Sequence, residues 1–418
     1  MTSNLTRYIL IALVLGVLTG WAINTQVDAA QAKAAAGYLG IVTDVFLRLI
    51  KMIIAPLVLA TLVTGIAHMG QGASIGRMFG RTLAWFIVAS LVSLSLGILM
   101  VNLLEPGVGV NLPLPPSNAE TGLAKGGFDL KTFISHIVPK SIFEAMSTNE
   151  VLQIVVFSMF AGIGLTAIGD AGKPIVRGLD ALVHLMLKIT GYVMNVAPFA
   201  VFAAVAASIA VEGLEIIGTF ARFMGGFYLA LAMLWLLLIA AGSTVLGFAP
   251  VVRLLKAIRE PFLLTFATAS SEASYPKLLL ALERYGISQR ISSFVLPLGY
   301  SFNLDGSMMY CAFASVFIAQ AYGIDLTLYQ EIGMLLLLMI TSKGIAGVPR
   351  ASLVVITATL PFFDIPEEGV LLILAIDHFL DMGRSATNVI GNAIATAVVS
   401  KWEGDRVADG EQAADARA

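Results

Sequence analysis

Near the C-terminus, "DMGRSATNVIGN" (381–392) places an acid, a base and two amides inside an apolar run. On a helix, Asp377, Asp381, Arg384 with Ser385, Asn388 and Asn392 fall on one stripe, because they recur at spacings of three, four and seven residues. Their neighbours are mostly apolar or small, so the stripe must face a polar interior. The planar fork of Arg384 suits a carboxylate held bidentately. Asp381, one turn away, suits an ammonium group. Together they fit an acidic amino acid. A plainer reading has Asp381 and Arg384 pairing only with each other at i,i+3, but that pair alone would not need the amides below it.

The elements that carry this stripe must be membrane helices. Of 418 residues, 58% are hydrophobic and only 12% charged, too little charge for a soluble surface of this size. Apolar segments at roughly 8–24, 39–67, 81–104, 150–170, 178–210 and 216–248 read as spanning helices. A cleaved signal ending near "AQA" (30–32) is set aside, because the rest of the chain is as hydrophobic and needs an inserting first helix. Basic residues set the orientation. With the N-terminus cytoplasmic, the inner loops hold Arg77 and Arg81, Lys173 and Arg177, then Arg253, Lys256 and Arg259. The short outer turns hold Glu212, Asp325, Asp364, Glu367 and Glu368, and no lysine or arginine. The segment 105–140 is a long polar outer loop.

The last 170 residues behave differently. Segment 255–285 is interrupted by "ATASSEASYP" and segment 331–362 by "TSKGIAGVPRAS". Each apolar half is too short to span. Polar, Gly- and Pro-containing backbone at membrane depth must be buried in protein or line a watery cavity. Both segments are therefore expected to be re-entrant hairpins, one opening from each side, a pattern that points to a transport site at mid-membrane. Between them, "GYSFNLDG" (299–306) interrupts another apolar helix with Asn303 and Asp305. Such residues are expensive in a membrane and rarely idle.

These motifs closely resemble the dicarboxylate/amino acid:cation symporter family, which includes the glutamate transporters. The likeness runs from "KMIIAPLVLATLVTGI" (51–66) through "VMNVAPFAVFA" (193–203) to the end, and is most specific in "SSEASYP", "GYSFNLDG", "SKGIAGVP" and "DMGRSATNVIGN". It implies an all-α fold of eight transmembrane helices plus two re-entrant hairpins, working as an elevator in each protomer of a homotrimer. The implied division is scaffold helices 1–2 (1–80), transport helix 3 (81–104), the outer loop (105–140), scaffold helices 4–5 (141–215), the remaining transport domain (216–403), and a disordered cytoplasmic tail (404–418). Carried over by motif, Arg384 would hold the substrate's side-chain carboxylate and Asp381 its amino group. Ser385 and Asn388 would complete the pocket. Ser270 and Ser271 in the first hairpin, Ser307, and the Val348 backbone in the second hairpin would hold the main-chain carboxylate.

Departures from the family pattern bear on the coupling ion. Sodium-driven members carry an aspartate where this chain has Asn392. Aligning on "LGILM" puts Phe86, Ala89 and Ser90 where they place a tyrosine, a threonine and a serine. Lys343 and Ile345 stand in a stretch whose carbonyls hold a third sodium. The chain therefore resembles the proton-coupled bacterial branch. Within that branch, C4-dicarboxylate carriers typically lack the acid at Asp381, so its presence favours glutamate or aspartate. Glu272 is the first candidate for the proton carrier, since desolvation and the substrate's own charge both favour its neutral form. Asp305 is the rival. Asn303, Lys343, Arg350 and Asn392 are candidate cation-site or gate residues. Arg350, on the facing hairpin tip, is expected to pair with ionised Glu272.

The expected protein is thus a multi-pass bacterial inner-membrane symporter with both termini cytoplasmic, taking up acidic amino acids with protons. C4-dicarboxylate symport, driven by protons or sodium, is the alternative. No Ser–His pair, metal constellation or nucleotide loop suggests an enzyme. Cys311 is the single cysteine and the four histidines lack metal-ligand spacing. No cofactor and no nucleic acid are expected, and no continuous polar pore helix suggests a channel.

Overall fold

The structure is a computed structural model that describes residues 2–69, 72–109, 115, 135–214, 220–342, 351–374 and 376–405. Every regular element among them is helical. Helices α1 (Thr2–Gln26), α2 (Ala29–Met69), α3 (Gly72–Leu104) and α8 (Ala221–Leu246) are long and apolar, as is the stretch Gln289–Ala321. Among the described residues, five segments are long and apolar enough to cross a membrane, or six if one bent pair is a single span. That pair corrects the single helix expected at 178–210. It is α6 (Lys173–Met194) followed by α7 (Ala197–Glu212), bent by 52°. Pro198 sits at the start of α7, where a missing N–H and a fixed φ suit a new helix rather than a continued one. The short helices α4 (Ile142–Ser147) and α5 (Val151–Ala167) precede it.

Two packing groups are evident. In the first, α2 packs on α5, α6 and α7, and α1 lies along α7. Alanines of "APFAVFAAVAASIAVE" let backbones approach, and Asn24 Nδ2 donates to the Ala210 carbonyl at 3.0 Å. The second group surrounds α17 (Asp377–Trp402), which is buried along nearly its whole length. Around it lie α8, α10 (Arg259–Thr268), α11 (Ser271–Tyr285), α12 (Gln289–Phe302) and α13 (Asp305–Ala321), with α3 packed on α13. The short helix α9 (Phe248–Ala257) joins α8 to α10. The groups meet chiefly where α12 crosses α2, and also where α10 packs on α7, α12 on α5 and α11 on α2.

Both interrupted segments are helical pairs. α10 and α11 pack on each other and are joined through Ala269, a non-glycine residue at φ +49°. The second pair is α14 (Leu328–Thr341) and α15 (Ala351–Thr359), which also contact each other. A short helix, α16 (Leu371–Leu374), leads into α17. At the far end of α17, Glu403 is nearly sealed from solvent and accepts from Arg77 and Arg81 of α3 at 3.1 and 2.8 Å. Lys343, Val348 and Arg350 lie outside the described residues, as does the tail beyond residue 405. The expected pairing of Arg350 with Glu272 is thus also outside them.

Candidate functional site

A break in one helix creates the floor of the site. After α12 the chain leaves helical geometry at Asn303 (φ −122°, ψ 64°) and Leu304, then re-enters at Asp305. The first N–H groups of α13 have no intrahelical acceptor. Asn388 supplies one: its Oδ1 accepts from Gly306 N at 2.9 Å and Ser307 N at 3.4 Å. Its Nδ2 donates to Ser307 Oγ at 3.1 Å. Asn388 therefore acts as a cap supplied by a neighbouring helix, and fixes α13 against α17. Asn388→Ala would leave two buried donors unmatched. We expect a loss of about 2–4 kcal/mol, read as a lower melting temperature of the purified protein.

The stripe on α17 is knitted together. Arg384 is 2% exposed. Its Nη1 donates to Asp377 Oδ1 at 2.8 Å and its Nε to Asp381 Oδ1 at 2.9 Å. The guanidinium lies 4.4 Å from the ring centroid of Tyr310, whose hydroxyl donates to Asp377 Oδ1 at 3.1 Å. Ser385 Oγ donates to Asp381 Oδ1 at 2.8 Å. The Asp381–Arg384 pair read from spacing thus exists, but as one part of a triad with Asp377. Part of the guanidinium fork is spent within the protein. Two carboxylates on one guanidinium leave the cluster with a formal charge of −1.

This cluster walls a cavity of about 630 Å³. Ser270, Ser271, Glu272, Ser307, Asp381, Arg384, Ser385 and Asn388 all line it. Two helix N-termini reach the cavity, those of α11 and α13, and each favours negative charge. Ser270 caps α11, its Oγ accepting from Ala273 N at 3.3 Å. Cys311 also lines the cavity, as do Tyr275, Tyr300 and, from α2, Asp44 and Lys51. No single stretch of sequence marked Tyr310 or Lys51. Their relevance comes from contacts with residues 74 and 221 positions away in the chain.

Asn303, Asp305 and Asn392 do not line the cavity. They form a fully buried polar knot beside it. Asn303 Nδ2 donates to Asp305 Oδ2 at 3.0 Å and to Asn392 Oδ1 at 3.2 Å. Ser93 Oγ donates to Asp305 Oδ1 at 3.3 Å. Asn303 Oδ1 and Asn392 Nδ2 have no hydrogen-bond partner among the described residues. Gly391 lets the knot close, since a Cβ there would stand 1.9 Å from Asp305 Oδ2. Gly391→Ala must displace Asp305, at a cost of about 1–3 kcal/mol. Thermal unfolding of that variant should begin at lower temperature, and an unshifted transition would show that the knot has slack. Among the described residues no group of three His, Cys, Asp or Glu side chains is placed to hold a metal ion.

A cavity lined by carboxylates, a guanidinium and two helix starts, in an apolar all-helical body, is the kind of site that suits a membrane carrier of small ionised solutes. The chain belongs to the sodium:dicarboxylate symporter family, whose profile matches residues 5–402. It is 39% identical over 407 residues to the proton/sodium-glutamate symport protein of Bacillus caldotenax, covering 96% of this chain and 95% of the relative. It is 37% identical to the proton/glutamate-aspartate symporter of Escherichia coli strain K12, covering 96% and 93%. It is also 36% identical to the C4-dicarboxylate transport protein of Bacillus subtilis strain 168, covering 96% and 94%. The chain is therefore a multi-pass symporter of the glutamate and dicarboxylate class, not an enzyme, and works with coupling ions rather than a cofactor.

Proposed function

We propose that this protein takes up glutamate or aspartate together with protons. The observation that carries the reading is the charge of the cavity wall. Among the described residues four carboxylates line it, Asp44, Glu150, Glu272 and Asp381, against two cations, Lys51 and Arg384, so it is formally −2 before any substrate arrives. An acidic amino acid brings a further net negative charge. Two unit charges 4 Å apart repel by about 4 kcal/mol at an effective dielectric of 20. Loading therefore needs a cation, and a proton on a carboxylate facing the cavity meets that need. Glu272 faces the cavity and sits in the first turn of α11, so it is the carrier we favour; Asp305, buried in the knot, is the rival.

In this reading Arg384 turns the free edge of its fork to the side-chain carboxylate, and Asp381 receives the ammonium group. Ser271, Ser307 and the start of α13 receive the main-chain carboxylate, with Ser270, Ser385, Asn388 and the Val348 backbone completing the pocket. Lys343 and Arg350 serve the second hairpin's gate. The packing group built on α2 acts as scaffold and the group around α17 as the moving transport domain, in each protomer of a homotrimer in the bacterial inner membrane with cytoplasmic termini.

A second reading, C4-dicarboxylate symport, draws support from one observation. Asp381 Oδ1 is already satisfied by Arg384 and Ser385, so the acid has a structural role that does not require an ammonium group. Uptake into proteoliposomes, with pH and sodium gradients imposed one at a time, tests both. An inward proton gradient alone should drive glutamate or aspartate uptake, and succinate should compete poorly. Uptake driven only by sodium would end the proton reading. Strong succinate transport with weak glutamate transport would favour the second.

A further inference from the structure

Glu272 has a counter-ion in this structure that lies on the other packing group. Lys51 Nζ of α2 stands 4.0 Å from Glu272 Oε2 of α11. The two side chains are 50% and 40% exposed, and both line the cavity. Neighbouring cations are committed elsewhere. Arg384 is held by Asp377 and Asp381. Lys277, further along α11, pairs with Glu260 of α10 at 2.7 Å. Lys51 is the cation in reach of Glu272 among the described residues.

We propose that Lys51 is a coupling residue: it holds ionised Glu272 across the joint between the two helix groups, and Glu272 leaves that joint as the neutral acid. This rests on the reading of Glu272 as proton carrier. The physics is that of a shared charge. An acidic substrate entering the cavity brings a carboxylate toward the same lysine and a like charge toward Glu272. Both effects weaken the pair, and both favour transfer of a proton from cavity water to the Glu272 carboxylate. Neutral Glu272 no longer binds Lys51, so release of the tip of α11 from α2 is favoured when substrate and proton are both aboard. An ion pair this exposed is weak, which suits a contact that must break in every cycle.

Other charged and titratable groups face the same space. They are Asp44 on α2, Tyr300 on α12, Asp381 and Arg384 on α17, and His136 and Glu150 at the rim. Glu150 precedes α5. Tyr275 on α11 and Cys311 on α13 complete the set among the described residues. None but Lys51 forms an ion pair with Glu272 among the described residues.

The test uses the full-length protein in proteoliposomes carrying a pH-sensitive dye. The pH at half-maximal glutamate-driven proton uptake is compared between the parent protein and Lys51→Met. Without the lysine the ionised carboxylate loses its counter-charge, so the measured uptake profile should move alkaline by roughly half a unit. Lys51→Arg should restore the parent profile. In a Glu272→Gln background, where this reading leaves no proton uptake to follow, the readout is glutamate binding to the purified protein across pH, and adding Lys51→Met should not change its pH dependence. An unmoved uptake profile in Lys51→Met overturns the proposal, as does a pH dependence of binding that Lys51→Met shifts in the Glu272→Gln background. If Lys51→Met does not fold, Lys51→Gln is read the same way. The underlying reading fails separately, if Glu272→Gln alone retains net uptake driven by a pH gradient.

Discussion

Arg384→Ala should abolish binding of acidic substrates. The guanidinium is nearly sealed from solvent, lies over the Tyr310 ring and joins Asp377 to Asp381. Its loss removes the only cation of the cluster and leaves two buried carboxylates without it. Removing one partner of a buried charge-assisted set costs on the order of 2–5 kcal/mol, or roughly 30- to 5,000-fold in affinity. Small neutral amino acids do not need the fork, so their binding should be retained or gained. Arg384→Lys separates charge from geometry: it keeps a cation but loses the planar double donor, and should bind acidic substrates weakly. Competition binding to the purified protein measures both. Unchanged glutamate or aspartate affinity in Arg384→Ala would remove Arg384 from the substrate site.

Asp381→Ser should divide amino acids from plain dicarboxylates. Asp381 Oδ1 is the shared acceptor for Arg384 Nε and Ser385 Oγ. Replacing it frees more of the guanidinium and takes the formal charge of the triad from −1 to zero. The ammonium group of an amino acid loses its counter-charge, a loss of about 1.5–3 kcal/mol or roughly 10- to 150-fold. A dicarboxylate instead loses a repulsive neighbour and should be transported equally well or better. Side-by-side uptake of glutamate and succinate gives the ratio. Undiminished amino acid transport would move the C4-dicarboxylate reading ahead.

Some of this was legible in one dimension because membranes constrain sequence so strongly. A run of apolar residues long enough to span can satisfy its backbone only as a helix, so α1, α2, α3 and α8 followed from hydropathy. The two hairpin segments followed from polar residues that lipid would not tolerate. The stripe on α17 followed from helical periodicity, which places Asp377, Asp381, Arg384, Asn388 and Asn392 on one face whatever surrounds them.

What periodicity cannot give is the partner on another helix. Asn388 read as a ligand-facing amide; it lines the cavity, and it also caps α13, because the break at Asn303–Leu304 brings unmatched N–H groups against α17. Asn303, Asp305 and Asn392 read as separate interruptions, and only packing through Gly391 draws them into one knot away from the cavity. The bend between α6 and α7 hid inside one apolar run, since hydropathy measures burial and not direction. Sequence alone determined that this protein holds charge within a membrane, because the apolar runs and the buried-type stripe are local properties of the chain. Tertiary structure alone decided which side chains from other helices meet these charges, Tyr310 with Asp377 and Lys51 with Glu272, because such pairing depends on distances between helices that no local spacing encodes.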